Sequence, residues 1–423
     1  MAKRTSRRTK RRGYACKGPA RLHSRNVVKV RLDADNRIGV RPKNFSVLES
    51  IALNVTLTLL SSSCMLELEP LWRGLESRAD ASFFQSWLWI GTWLESLPPR
   101  VEAMLLRVDR GDEVLALGIL VRRRLTRYGI LRSRGLFLNC TGEPQLDEIT
   151  IEYNGLLCAR GEEHPAMRAC THFLFRGARD CDELYLDGLH RPQELDSLVL
   201  IGTRVRRRRQ RNFHFVNLGR LRGDGHRFLG TLGAKTRHNI RRSIREYEKR
   251  GPLGLHEAQS APQAHAYMSR LRHFHRQYWE LKGQPGSFSN DFFTRFHERL
   301  IDRIFAEHAV QLLRITAGDT EVGYLYNFLY RGRVYNYQGG FNYSVNATQN
   351  RPGLICHTYA VQHNLEQGAA IYDFMAGDVE YKEALGSEML PMTWDVIQRD
   401  SWQFRVEEAL RMLRRGFRGL LTK

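Results

Sequence analysis

The sequence predicts an α/β (α+β) fold of two domains, each a mixed, mostly antiparallel sheet flanked by helices, and three observations carry that prediction. The chain has 423 residues, more than a single hydrophobic core usually serves. Its apolar spacing switches repeatedly between the helical and the strand period. Near the end, three strand-like segments are followed by a loop, a helix and a fourth strand, the pattern of a meander that returns through a helical crossover to a parallel strand. With 42% hydrophobic and 26% charged residues, there is apolar material for both cores.

In chain order, residues 1–50 read as a basic, disordered tail. The run MAKRTSRRTKRR has no apolar segment directly behind it, so a signal peptide is not expected. The stretch 47–66 is broken by Glu49, Asn54 and several Ser and Thr, too polar for a transmembrane segment. Residues 51–210 form the expected first domain. It opens with a strand at 54–60, a helix using Met65, Leu68, Trp72 and Leu75, and a second using Phe83, Trp87, Ile90 and Leu94, stopped by Pro98 and Pro99. A hairpin follows at 101–108 and 114–121 around Asp109-Arg110-Gly111-Asp112, with strand-like stretches near 131–138 and 184–186. The arginine run 204–211 reads as a domain junction or an exposed strand edge.

Residues 211–423 form the expected second domain. After a strand at 213–218 comes a basic helix at 235–250, closed by Gly251-Pro252. Amphipathic helices use Ala264, Tyr267, Leu271, Phe274 and Tyr278, then Phe292, Phe296, Leu300 and Ile304. The strands 310–316, 322–330 and 333–341 make the meander, the helix 353–367 the crossover, and 371–374 the returning strand. A last helix uses Trp402, Val406, Leu410, Leu413 and Phe417. Both halves repeat helices, a hairpin and further β/α elements, so a diverged duplication is expected.

The seven cysteines are scattered without a C-x-x-C pair, which indicates neither a disulfide framework nor a metal site. Apolar neighbours suggest reduced, buried thiols and a cytoplasmic protein. A net charge of +21 favours anionic partners: nucleotides, phosphorylated cofactors, nucleic acid or an acidic membrane surface for peripheral contact.

The segment DFMAGDVEYKEALGS, residues 373–387, resembles the GNAT-like acetyltransferase family of the CelD (cellulose-biosynthesis) type, a relative of the FemAB transferases. ASFFQSWLWIGTWLESL (81–97), LGAKTRHNIRRSIREYEKRG (232–251) and YNYQGGFNYSVNATQNRPGLICHTYAVQHNLEQG (335–368) agree with it. The resemblance implies tandem GNAT-like domains: a degenerate copy at 51–210 and an acyltransferase copy at 211–423. It further implies transfer of an acyl group, from acetyl-CoA or a longer acyl-CoA, to an amine on a small molecule or glycan precursor in envelope or exopolysaccharide metabolism. The family alternative is an aminoacyl-tRNA donor, with tRNA as partner. A non-enzymatic protein binding nucleic acid or other anions is the third reading.

Acyl transfer needs a donor held by its phosphates, a polarised carbonyl and a base for the amine proton. The family places the pyrophosphate at the N-terminus of the crossover helix, where orphan N–H groups and the helix dipole attract anions. Here that position holds Gln349, Asn350, Arg351, Gly353 and Leu354. Its single glycine departs from the family's Gln/Arg-x-x-Gly-x-Gly/Ala loop, and Pro352 equally suits an ordinary helix start. Just beyond the returning strand stand Asp378, Glu380, Tyr381 and Lys382. Asp378 or Glu380 is a candidate base, and the resemblance gives the Tyr381–Lys382 pair a role in binding phosphate or the oxyanion. On spacing alone, Asp378 capping a helix and Lys382 pairing with Glu380 or Glu383 serve as well. Substrate contacts are expected from Arg237, Arg241 and Arg242, and from Tyr326 and Tyr337 in an acceptor channel; a solvated helix face and ordinary core tyrosines are the alternatives.

Overall fold

In the computed structural model, residues 28–32, 53–61, 64–149, 151–177, 181–190, 195, 200–225, 227–344, 351–377 and 379–421 are described. The first half contributes β1 (Val28–Leu32), β2 (Leu53–Leu59), α1 (Met65–Glu76), α2 (Trp87–Ser96), β3 (Ala103–Arg110), β4 (Glu113–Arg127), β5 (Leu131–Leu138), β6 (Leu157–Cys158), α3 (Glu163–His172) and β7 (Glu183–Leu189). Then come β8 (Thr203–Asn217), α4 (Leu218–Gly223), α5 (Phe228–Thr231), α6 (Ala234–Glu248), β9 (Leu253–Glu257), α7 (Ala261–Leu281) and α8 (Asp291–Ile304). The chain ends with β10 (Val310–Ala317), β11 (Thr320–Tyr330), β12 (Arg333–Phe341), α9 (Pro352–Glu366), β13 (Ile371–Ala376), α10 (Glu380–Leu385), β14 (Glu388–Arg399) and α11 (Trp402–Leu421).

All these strands join one sheet, in the order β1-β2-β3-β4-β5-β7-β14-β8-β13-β12-β11-β10-β9, with β6 on β4. Among the described strand pairs only β5–β7 and β12–β13 are parallel; the others are antiparallel. Each half therefore repeats one plan: an antiparallel meander, a helix (α3 or α9), and a strand parallel to the meander's last. The repeat is joined by exchange. The strand beside β7 is β14, from the far end of the chain, and the strand beside β13 is β8, from the end of the first half.

Physical patterning explains most elements. Helix α2, WLWIGTWLES, is apolar nearly all round, buries all three of its tryptophans and packs against α1 and α8, with Trp89 meeting Phe328 and Tyr337 of the sheet. Its N-terminus is capped by the Ser86 hydroxyl, which accepts from the Trp89 N–H. One core cluster runs under both halves, from Trp72 and Phe84 of the first to Tyr326 and Tyr335 of the second. Two further clusters fill the opposite face, one per half.

Four expectations are revised. Val28–Leu32, inside the presumed disordered tail, pair with β2; the remainder of 1–50 lies outside the described residues. The arginine run is narrowed to the second of its two readings, an exposed strand: residues 204–211 belong to the 15-residue β8 and pair along β14, with Arg207 pairing to Asp395 of β14 and Arg208 to Asp187 of β7. Strand β14 was not anticipated, because Pro391 interrupts its pattern; β8 and β7 flank it nonetheless. Finally, α11 buries Phe404 and Glu407, while Trp402 and Val406 of its expected apolar stripe are exposed.

Candidate active site

Strands β12 and β13 pair only through Arg333–Ile371, Val334–Tyr372 and Tyr335–Asp373. Beyond that point they part, and both irregularities that open the gap are visible in the register. On β12, Tyr326 faces Gln338 while Asn327 faces Asn336, so Tyr337 is the extra residue of a β-bulge. On β13, the pairing with β8 jumps from Asp373–Phe215 to Ala376–Phe213, and Met375 takes φ +61°, a conformation that costs a side-chain-bearing residue strain. Three hydrogen bonds hold it there. Asp373 Oδ1 accepts the Met375 N–H at 2.7 Å, and the Lys382 ammonium donates to the carbonyls of Met375 (3.3 Å) and Ala376 (2.7 Å).

The gap opens into a cavity of about 730 Å³, walled by β12, β13, α10, the N-terminal turns of α6 and α9, and α7. One side chain of its lining comes from the first half. Glu152, 6% exposed, reaches across 224 residues of sequence to accept the Ala376 N–H at 2.8 Å. Its neighbour Tyr153 donates to buried Asp373, which also pairs with Arg333. These contacts set Glu152 at the foot of the gap. Burial pushes its carboxyl up to about 7, with Asp373 adding to the rise; the Lys382 charge, the Ala376 N–H and Arg209 oppose it. A carboxyl poised near neutrality is suited to proton transfer at physiological pH.

Two histidines line the same cavity. His357 on α9 lies flat against Tyr381, ring centroids 4.5 Å apart, and neither ring nitrogen has a hydrogen-bond partner among the described residues. Burial, with Lys382 nearby, pulls it down to about 3. Burial likewise pulls His275 down to about 4; its Nε2 accepts the Trp279 indole N–H at 2.9 Å. Both are neutral at physiological pH.

The structure gathers some of the expected residues here and not others. Glu380, Tyr381 and Lys382 line the cavity, Glu380 exposed and Lys382 buried. Arg351, Gly353 and Leu354 line it at the start of α9, where Pro352 takes a first-turn position. Gln349, Asn350 and Asp378 lie outside the described residues. Tyr337 is in the wall, its hydroxyl donating to the Ile149 carbonyl of the first half. Tyr326 is not: it is fully buried, its hydroxyl 3.3 Å from His297 Nδ1, because its place in β11 turns it into the core against α8. The basic helix presents another face than expected. Lys235, Thr236 and Asn239 face the cavity, whereas Arg237 is bound to the carbonyls of Gly230 and Leu232, and Arg241 and Arg242 lie outside the lining. Among the described residues no cluster of three or more His, Cys, Asp or Glu could hold a metal ion.

Sequence reasoning missed Glu152 and His357. Nothing around Glu152 announces it: it sits in an irregular stretch and acquires its surroundings only when the halves pack. His357 is one of ten buried residues of α9 and carries no local mark.

Residues 234–383 match the family described as Acetyltransferase (GNAT) domain. No curated protein matches the sequence. Among solved structures, FemX is similar at 10% identity over 80% of this chain and 96% of its own, TM-score 0.49. L-PGS from Bacillus licheniformis is similar at 12% identity over 82% and 96%, TM-score 0.46. A tandem GNAT protein from the clavulanic acid biosynthesis pathway is similar at 11% identity over 82% and 99%, TM-score 0.42.

Proposed function

We propose that this chain, whose residues 234–383 match a GNAT acetyltransferase domain, is an N-acyltransferase that uses acyl-CoA and works at the β12–β13 gap. The observation that carries the reading is that one cavity joins the parted strands, the N-terminus of α9 and a buried carboxyl held near neutrality. The N–H groups of the first α9 turn, with Arg351 beside them, suit the donor's pyrophosphate. The unpaired backbone of the parted strands suits the pantetheine arm and the thioester carbonyl. The acceptor amine attacks that carbonyl; a C–N bond forms and the C–S bond breaks. Glu152 takes the amine proton, which ends on the departing thiolate. Lys382 holds the Met375–Ala376 turn in place and draws Glu152 toward its charged form. Glu380 and Tyr381, at the mouth, are the acceptor's first contacts.

On this proposal residues 211–423 are the catalytic copy and 51–210 a degenerate one that supplies the base. The resemblance to CelD-like sequences suggests an acceptor amine on a sugar, amino acid or envelope precursor, and a cytoplasmic site of action.

Calorimetric titration of the purified protein with acetyl-CoA, a long-chain acyl-CoA and free CoA tests the donor. Saturable binding near one equivalent is expected for at least one of them. A folded protein that binds none of the three moves the donor to aminoacyl-tRNA. The single glycine at the start of α9, Gly353, and the +21 charge already lean that way. Salt then separates the two, since contact with many phosphates weakens steeply as salt rises and a CoA site does not.

A further inference from the structure

Helix α11 docks through Phe404, 3% exposed, and through the carboxylate of Glu407. Glu407, 2% exposed, pairs with Arg127 at 3.2 Å and with Arg411, and Glu408 pairs with Arg204 at 2.6 Å. The side turned to solvent carries Trp402 (67% exposed), Val406 (40%) and Met412 (62%). At about 100° per residue, Trp402, Val406 and Ala409 share one stripe, and the same spacing continues in the sequence with Leu413, Phe417 and Leu420. Ile201, 90% exposed, adjoins the start of the helix, because the Asp400 N–H bonds to the Gly202 carbonyl. A helix that buries a carboxylate while baring a tryptophan, a valine and a methionine leaves an apolar strip that no described residue covers.

We infer that α11 is a peripheral membrane anchor, lying in the surface of an anionic bilayer with Trp402 and Val406 among the acyl chains and Met412 at the edge of the same exposed face. Charge decides between the occupants. The segment 402–423 carries Arg405, Arg411, Arg414, Arg415, Arg418 and Lys423 against Glu407 and Glu408, on a chain of net +21. A second copy would bring that excess against itself, and the basic residues 1–27 would do the same. An anionic lipid surface attracts the arginines and takes the apolar stripe together, which is how basic amphipathic helices lie in an interface. No helix among the described residues is long and apolar enough to cross a membrane, so the contact is peripheral. This inference is independent of the acyl-transfer reading.

The experiment is co-sedimentation of the full chain with vesicles of phosphatidylcholine alone or with one third phosphatidylglycerol. The chain is expected to bind the anionic vesicles, and Trp402→Ser/Val406→Ser/Met412→Ser to weaken that binding at least about tenfold with an unchanged melting temperature. Should the triple variant melt early, Trp402→Ser alone carries the comparison. The inference is overturned if the wild type ignores anionic vesicles, or if the variants bind as well as the wild type. It is equally overturned if the wild type is a dimer in solution that the same substitutions convert to a monomer.

Discussion

Glu152 and Lys382 concentrate the chemistry of the cavity, and their environments give opposite predictions. If Glu152 is the base, the wild-type rate rises as pH climbs through about 7, where its carboxyl ionises. Glu152→Gln should lower kcat about 10²–10⁴-fold and abolish that limb; a variant retaining both rate and profile removes Glu152 from the mechanism. The same group shapes stability. Its folded-state value, about 7, lies above the ordinary 4.5, so its favourable contribution is complete below about pH 4.5 and is lost as pH rises through 7. The wild type's Tm is therefore expected to fall relative to Glu152→Gln between about pH 5 and pH 8, and parallel curves would count against a buried, uncharged Glu152. Lys382→Met keeps the stem but strips the ammonium from the Met375 and Ala376 carbonyls. Charge-assisted bonds of this kind contribute about 1.5–3 kcal/mol, so denaturant melts should show a loss of that order together with loss of turnover. Of these two residues, Lys382 was legible from the motif around it. Glu152 was not, because no local pattern distinguishes a carboxylate that will be buried from one that will be solvated.

At the level of elements, close approach sets the limits. Helix α7 lies so near β12 that a Cβ on Gly340 would sit 2.2 Å from the Leu271 carbonyl oxygen. Gly340→Ala must push backbone against backbone, and it is expected to destabilise the fold by about 1–3 kcal/mol or more and to distort the strand edge that frames the cavity. A thermal melt unchanged from wild type would contradict that packing. Most helices and the meander were readable because their periods are strong and local: α7, α8 and β10 to β12 fall within a few residues of expectation. Faces were harder. On α6 the arginines drew attention, yet Lys235, Thr236 and Asn239 meet the cavity; on α11 the stripe led by Trp402 and Val406 stands exposed, while Phe404 and Glu407 are buried. Periodicity says that a helix has two sides and leaves open which one the neighbours take.

Across the whole molecule, exchange of β8 and β14 makes the two halves one sheet over one shared core. Unfolding should therefore be a single cooperative transition by calorimetry, and truncation before β14, at residue 387, should abolish it by removing the strand between β7 and β8. Two separable transitions, or a truncated chain that still melts cooperatively, would mean that the halves fold independently. The duplicated α/β plan, the meander with its parallel return, and the helix start beside Arg351 were all present in spacing and composition, since hydrophobic period and turn chemistry act over a handful of residues. The pairing of β14 with β7, the parting of β12 from β13, and the delivery of Glu152 into that gap from 224 residues away were decided by long-range packing. Burial and partnership there belong to surfaces that exist only once the chain has folded.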